Sequence, residues 1–445
     1  MQWLEPWNEV EDRSARAALE DELCREIAPS HPLFGLSVTA LAQRVDRDDI
    51  LFALADGRVA MVHLTYRGSL EPDPRLPITR LFPSLAAWIE DRMVPDHQEW
   101  TAWQGPHTLP PAPSGWFPQA YAVDTNGHLA RLSATVDVRA KWEAWRKRTA
   151  AGSSEPLGPL IDDGTRGRIE VFAGSERIDA IEFPLETPFP KFDRLPDGRW
   201  VVTDARCRRG KTNACILARD GALLSRVHLG DAIARLQCDR LGGIWVGYFD
   251  EGIGGFGASD EDPEPPGSYG LNRFRSDGTM SWSPGPSFYP PIYDCYAMTV
   301  GYDGVWIYYY DDFPIVHLPF DGVLRQWRNE TIRGASFVAV EGNLAVLLGG
   351  YKGERDTGAL LRLGDDGRAE VLHRFRLNPM MLAAMRDGFV IARAGMLYFV
   401  VDDTWHVLSV EDFARDLAQT PPLYEPYLPS QEEEKPTGPG WTLKD

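Results

Sequence analysis

Five carboxylates stand at matching places in three similar stretches of this chain. "RWVVTDA", "IWVGYFD" and "VWIYYYD" begin at Arg199, Ile244 and Val305, and the acids that follow are Asp204, Asp250 with Glu251, and Asp311 with Asp312. Carboxylates gathered from several loops can hold Ca²⁺ or another hard divalent cation, which takes roughly six to eight oxygen ligands. Such an ion would activate a water for hydrolysis of an ester or lactone. No Asn or His recurs beside these acids, and Asp204 falls one residue earlier than the others relative to its tryptophan. Acids at strand ends are ordinarily solvated. A metal-dependent hydrolase or lactonase at these five residues is therefore the alternative expectation, not the leading one.

A second group of residues suits recognition. The insertion 136–166 carries "DVRAKWEAWRKRTAAGS", a helix candidate with Trp142 and Trp145 on one face. Arg139, Lys141, Arg146, Lys147 and Arg148 make it a basic patch on an acidic chain. Tryptophan with arginine is the composition of an interface hot spot. Docking of this helix on the chain's own acidic N-terminal part explains the same composition equally well. The link "PGPSFYPPIYD" (284–294) adds Phe288, Tyr289 and Tyr293 as candidate binding residues.

These groups need a scaffold, and the repeats supply one. Gly198, Gly243 and Gly304 each stand two residues before a tryptophan: Trp200, Trp245 and Trp306. The same phase recurs at Gly127 with Leu129, Gly342 with Leu344 and Gly388 with Val390. Each glycine separates two strand-like runs, and further hairpins turning at Asp-Gly follow. Six units of four strands predict a six-bladed β-propeller over 116–418, with blades near 119–184, 189–230, 233–284, 295–329, 335–377 and 380–410. The tryptophans are read as packing between blades. No swapped strand that would close the ring is visible in the pattern.

In this topology the second loop of each blade and the link to the next share one face. The long insertions 136–166, 251–268 and 352–358 and the link 284–294 fall there. Repeat proteins commonly carry insertions on the binding face.

Residues 1–104 read as a small α+β domain, with a helix over 11–28, a hairpin turning at Asp56-Gly57 and a helix over 84–93. "HPLFG", "DDILFAL" and "VHLTY" in this order resemble a family of small stand-alone bacterial proteins with an HLTW-type strand, Tyr66 replacing the usual tryptophan. The resemblance covers residues 1–98 and implies a bacterial source but no chemistry. His31, His63 and His97 have no spacing that fixes a metal geometry. The segment 105–115 is a proline-rich linker, and the acidic, proline-rich tail 419–445 is predicted to be disordered.

Overall charge narrows the partners. With 65 acidic against 46 basic residues the net charge is −19, which disfavours nucleic acid and suits a basic protein partner. Five scattered cysteines, no signal-like start and no long apolar run predict a cytoplasmic protein without disulfides, zinc or a membrane span. GxGxxG, P-loop and GxSxG motifs are absent, so no cofactor is expected on the leading reading. That reading is a binding module, of immunity or scaffold type, that holds a basic macromolecule on its insertion-bearing face.

Overall fold

The hairpin periodicity resolves into seven antiparallel sheets in the computed structural model, which describes residues 3–4, 6–44, 48–72, 76–96, 106–150, 154–207, 211–253, 265–386 and 388–417. The predicted disordered tail 419–445, His97 and the centre of the insertion 251–268 lie outside the described residues. The chain divides into two units, 1–105 and 106–445. It is mainly β: a six-bladed β-propeller preceded in sequence by a small α+β domain.

The first unit carries a five-stranded sheet in sequential order, Trp7–Glu9, Val38–Arg44, Asp49–Leu54, Val59–His63 and Ile78–Phe82. Its main helix, Arg13–Glu26, is capped by Asp12, whose carboxylate accepts from Ser14 N at 2.9 Å. Leu19, Leu23 and Ile27 bury one face against Ala40, Phe52 and Val62. The outer strands escaped the sequence reading because they lack clear alternation. His31 is held by Pro77 O and Thr79 Oγ1, and His63 by Asp49 at 2.8 Å. They are thus spent on separate structural bonds.

The second unit is built from six four-stranded sheets. The first five are Phe117–Val123, Leu129–Ala134, Arg166–Ala173 and Glu176–Pro184; then Pro190–Arg194, Trp200–Asp204, Ala214–Leu217 and Leu223–Val227; then Ile233–Cys238, Ile244–Tyr248, Leu271–Phe274 and Met280–Trp282; then Asp294–Val300, Gly304–Tyr310, Ile315–Pro319 and Arg325–Trp327; then Phe337–Glu341, Leu344–Leu348, Thr357–Leu363 and Ala369–Arg376. Each first strand neighbours the first strand of the next sheet, and the last, Phe389–Arg393, returns to the first, so the inner strands form a closed ring. The recurring tryptophans lie in the apolar layers between blades: Trp200 between the first and second, Trp245 between the third and fourth, Trp306 between the fourth and fifth.

Two expectations are corrected in the sixth blade. "MMLAAMR" is not its first strand; Pro379–Arg386 is a helix, because its apolar residues recur with a helical rather than an alternating period. The blade is Phe389–Arg393, Met396–Val401 and Thr404–Ser409, one strand short from its own sequence. Its fourth strand is His107–Thr108, from the segment read as a linker, which pairs antiparallel with Thr404 and Trp405. The ring is closed by a swapped strand after all. Two residues carry too little periodicity to be seen in a sequence.

Trp405 fastens this closure. Its buried ring stacks on Tyr398, lies 4.7 Å from His107, and donates to Gly174 O of the first blade at 3.1 Å. Trp405→Ala is expected to cost about 3–5 kcal/mol of unfolding free energy in a urea titration. Leu241→Ala, at an exposed turn, should cost less than about 0.5 kcal/mol.

Candidate functional site

Each inner strand runs from the loop-bearing face towards the short-turn face. Its position in the strand therefore gives a residue's depth in the channel. At the short-turn end the channel is sealed. The buried Arg393 of the sixth blade donates to Asp193 of the second at 2.8 Å and reaches Cys238 O of the third. The Asp193 carboxylate also accepts from Cys238 N at 2.6 Å. One step higher, Gln237 donates to Ala392 O at 2.8 Å and accepts from Val300 N at 2.7 Å. Above that, Arg235 bridges Tyr296 O and Ser336 O, with its guanidinium over the Phe337 ring.

Towards the loop-bearing end the charges are less completely matched. Lys191 stands two residues before Asp193 and so shares its channel-facing side, while Phe192 between them enters the apolar layer against the first blade. Among the described residues the Lys191 ammonium has no hydrogen bond or ion pair. Burial, then the neighbouring Arg235, lower its pKa to about 8, against the pull of Asp204. Asp294 begins the inner strand of the fourth blade and is half-buried. Burial, then the exposed Asp250, push it up to about 7, with Arg235 opposing. Asp204, at the end of the strand beside Pro190, is raised chiefly by burial. Tyr296 and Tyr351 complete the mouth, their hydroxyls 2.7 Å apart. Burial holds the Tyr351 hydroxyl up to about 12, so both phenols stay neutral donors.

The five acids singled out from the sequence are thus divided. Asp204 is half-buried and accepts from Arg206 N at 3.1 Å, while Asp250 stands exposed. Glu251 is held by Arg206, which also meets Asp231 at 3.2 Å. Asp311 and Asp312 sit on an exposed turn, where Asp312 and Phe313 take positive φ of 64° and 52°, sending Phe313 inward onto Tyr308. Among the described residues no three His, Cys, Asp or Glu side chains are grouped to hold a metal ion. This donor set does not fit a hard cation, and no step is routed through one.

The basic insertion folds on itself. Its helix, Val138–Ala150, turns Trp142 inward against Leu160 and Phe189, with Trp145 packed beside it at 5.1 Å and donating to Glu155 O. Both rings anchor the insertion and are not presented to a partner. Arg146 and Arg148 remain exposed. Phe288 lies against Tyr309, while Tyr289 is 83% exposed and Tyr293 49%. Tyr293 N donates to Tyr310 O at 2.7 Å, which sets Tyr293 beside Tyr310, itself 43% exposed, and the Asp311–Asp312 turn. Lys191, Arg235, Asp294, Tyr296 and Tyr351 were missed. Their signal was weak: single charged or phenolic residues in runs read only for apolar alternation. Lys191 is one of only seven lysines among 46 basic residues.

The comparisons place these features in context. Residues 286–362 match the YxzG family, a match confined to the fourth and fifth blades and lending nothing to the N-terminal resemblance. No curated protein matches the sequence. Among solved structures, virginiamycin B lyase from Staphylococcus aureus is 12% identical over 68% of this chain and 98% of its own, with a TM-score of 0.38. Hsv2 of Kluyveromyces lactis is 12% identical over 66% and 75%, with a TM-score of 0.38. A periplasmic gluconolactonase of Pseudomonas aeruginosa is 11% identical over 66% and 81%, with a TM-score of 0.37. At this level of likeness no site residue or activity carries over. No helix among the described residues is long and apolar enough to cross a membrane.

A carboxyl held near 7 in the fold and near 3.8 when unfolded costs stability once it ionises. That cost is nil below about pH 4, grows to about pH 7 and is complete above it. Asp294→Asn should therefore raise the unfolding free energy at pH 8, by at least about 1 kcal/mol. The gain should vanish at pH 4, as followed by urea titrations across this range.

Proposed function

We propose that the propeller binds a small polar ligand at the loop-bearing mouth of its channel and performs acid–base chemistry on it. The observation that carries this reading is that Lys191 and Asp294, on different inner strands, both lie in the field of Arg235. An amine and a carboxyl, each held nearer neutrality than usual, face the same mouth without touching a partner. Perturbed groups of opposite type gathered in one cleft are the arrangement expected of a proton-transfer site. Arg235 below them favours a ligand that carries a carboxylate, and Tyr351 offers a neutral hydroxyl. Esters, lactones and oxo acids of small size all present these features.

The test is a thermal-denaturation screen of small carboxylic acids, lactones and carbonyl compounds. A ligand at about 100 times its dissociation constant adds roughly 2.7 kcal/mol. Lys191→Met and Asp294→Asn should each remove most of that gain. A ligand whose effect survives both substitutions unchanged would place binding elsewhere.

A second reading concerns the same face. Tyr289, Tyr293 and Tyr310 beside Asp311 and Asp312 form an exposed aromatic and acidic patch, the composition that suits a basic protein segment. A lysine-rich peptide should bind at low salt and be lost from a Tyr289→Ala, Tyr293→Ala, Asp311→Asn, Asp312→Asn variant. Equal binding by that variant, measured by fluorescence anisotropy, would remove the patch from consideration.

A further inference from the structure

A cleft of about 370 Å³ opens on the short-turn face between the fourth and fifth blades. None of its residues belongs to an inner strand, so it is separate from the channel mouth. Its floor is aromatic. Strand register sets Trp306, His317 and Arg325 in one row across the fourth blade. The Trp306 and His317 rings stack at 4.1 Å and 12°, and Trp327 stacks on Trp306 at 5.5 Å and 29°. Trp327 Nε1 donates to Gly364 O at 2.8 Å, which ties the stack to the fifth blade. Gly304 leaves the room this stack needs, since a Cβ there would stand 2.7 Å from His317 Nε2. His317 is only 8% exposed, and its Nε2 lies 3.3 Å from Asp303 Oδ2 without a hydrogen bond among the described residues.

The rim is acidic. Asp303, Asp321 and Asp365 come from three separate turns and are all exposed. Arg240 of the third blade adds positive field at Asp303. Asp321 and Asp365 have no hydrogen bond or ion pair among the described residues, which leaves them for a ligand. The cleft's own cation is Arg325, so three carboxylates face one guanidinium. Carboxylates over aromatic rings suit an organic cation, because the ring faces attract positive charge. A guanidinium suits them better than an ammonium: it is planar, weakly hydrated and donates in a fork that matches a carboxylate.

We propose that this cleft binds a guanidinium group, held by Asp321 of the fourth blade and Asp365 of the fifth above the tryptophan floor. The chain's net charge of −19 favours capture of such a cation. Arg325 opposes a bare cation but can pair with a carboxylate on the same ligand. Free arginine carries that carboxylate, whereas an arginine side chain within a protein does not. Arg325 therefore discriminates between the two sources of guanidinium.

The experiment is calorimetric titration of the full chain with L-arginine, N-acetyl-arginine amide and N-acetyl-lysine amide. Saturable binding of an arginine compound is expected, with the lysine amide at least about fivefold weaker than the arginine amide. Asp321→Asn with Asp365→Asn keeps the turn chemistry and should weaken binding at least about tenfold. Asp311→Asn with Asp312→Asn, on the other face, should leave it unchanged. Free arginine binding more tightly than the capped compound, with the advantage lost in Arg325→Gln, identifies the free amino acid as ligand. Equal or tighter binding of the capped compound identifies an arginine side chain of a protein. A lysine amide that binds as tightly as the arginine amide overturns the guanidinium assignment. No saturable heat up to about 10 mM ligand, or equal binding by the Asp321 and Asp365 double variant, overturns the site itself. Equal weakening by both double variants also overturns it, since the attraction is then only that of an acidic surface.

Discussion

The ion pair between Arg393 and Asp193 is the constraint on which the propeller's interior depends. Six sheets arranged around an axis leave a void between their first strands, and their backbone edges cannot fill it. Here a guanidinium from the last blade crosses to a carboxylate of the second and a carbonyl of the third. Removing either partner of such a buried pair leaves an uncompensated charge and costs about 3–5 kcal/mol. The pair is thus a poor source of net stability, and it ties the sixth blade to the second and third. Gln237 and Arg235 repeat the device higher in the channel, each bonding to backbone on other blades.

This sealing gives the channel a polarity. At the short-turn end, donors and acceptors are matched and charge is neutralised by contact. At the loop-bearing end, Lys191 and Asp294 each feel the field of Arg235 without a hydrogen bond or ion pair among the described residues. A group that feels a neighbouring charge without bonding to it keeps its proton mobile. The fold thus makes one half of its axis rigid, and the other half retains the titratable groups.

The scaffold was far more legible in the sequence than the site. Glycine followed at two residues by tryptophan, with Asp-Gly turns beyond, reports backbone geometry and burial, which repeat with each blade. Trp200, Trp245 and Trp306 all fall between blades for that reason. The acids Asp311 and Asp312 looked equivalent to Asp204 by position, yet a turn of two positive-φ residues directs them outward. Tertiary convergence of Lys191, Arg235 and Asp294 comes from three separate strands and has no local spacing to betray it. Trp142 shows the opposite error: an amphipathic helix rich in arginine suggests a partner, but its apolar face is already covered by Phe189 and Leu160.

The swapped strand has a consequence for how the ring comes into being. His107–Thr108 is made before any other part of the propeller, yet its partner strand, Thr404–Ser409, is made almost last. During synthesis the first blades can stack in order, but the layer between the sixth and first blades stays open until the end. Its apolar surface is exposed for the whole of that interval. The ring is therefore a late, long-range event of the kind that slows folding, because loop closure must precede the contacts that reward it. Once shut, the two ends of the propeller segment hold each other, and loss at either end is felt at both.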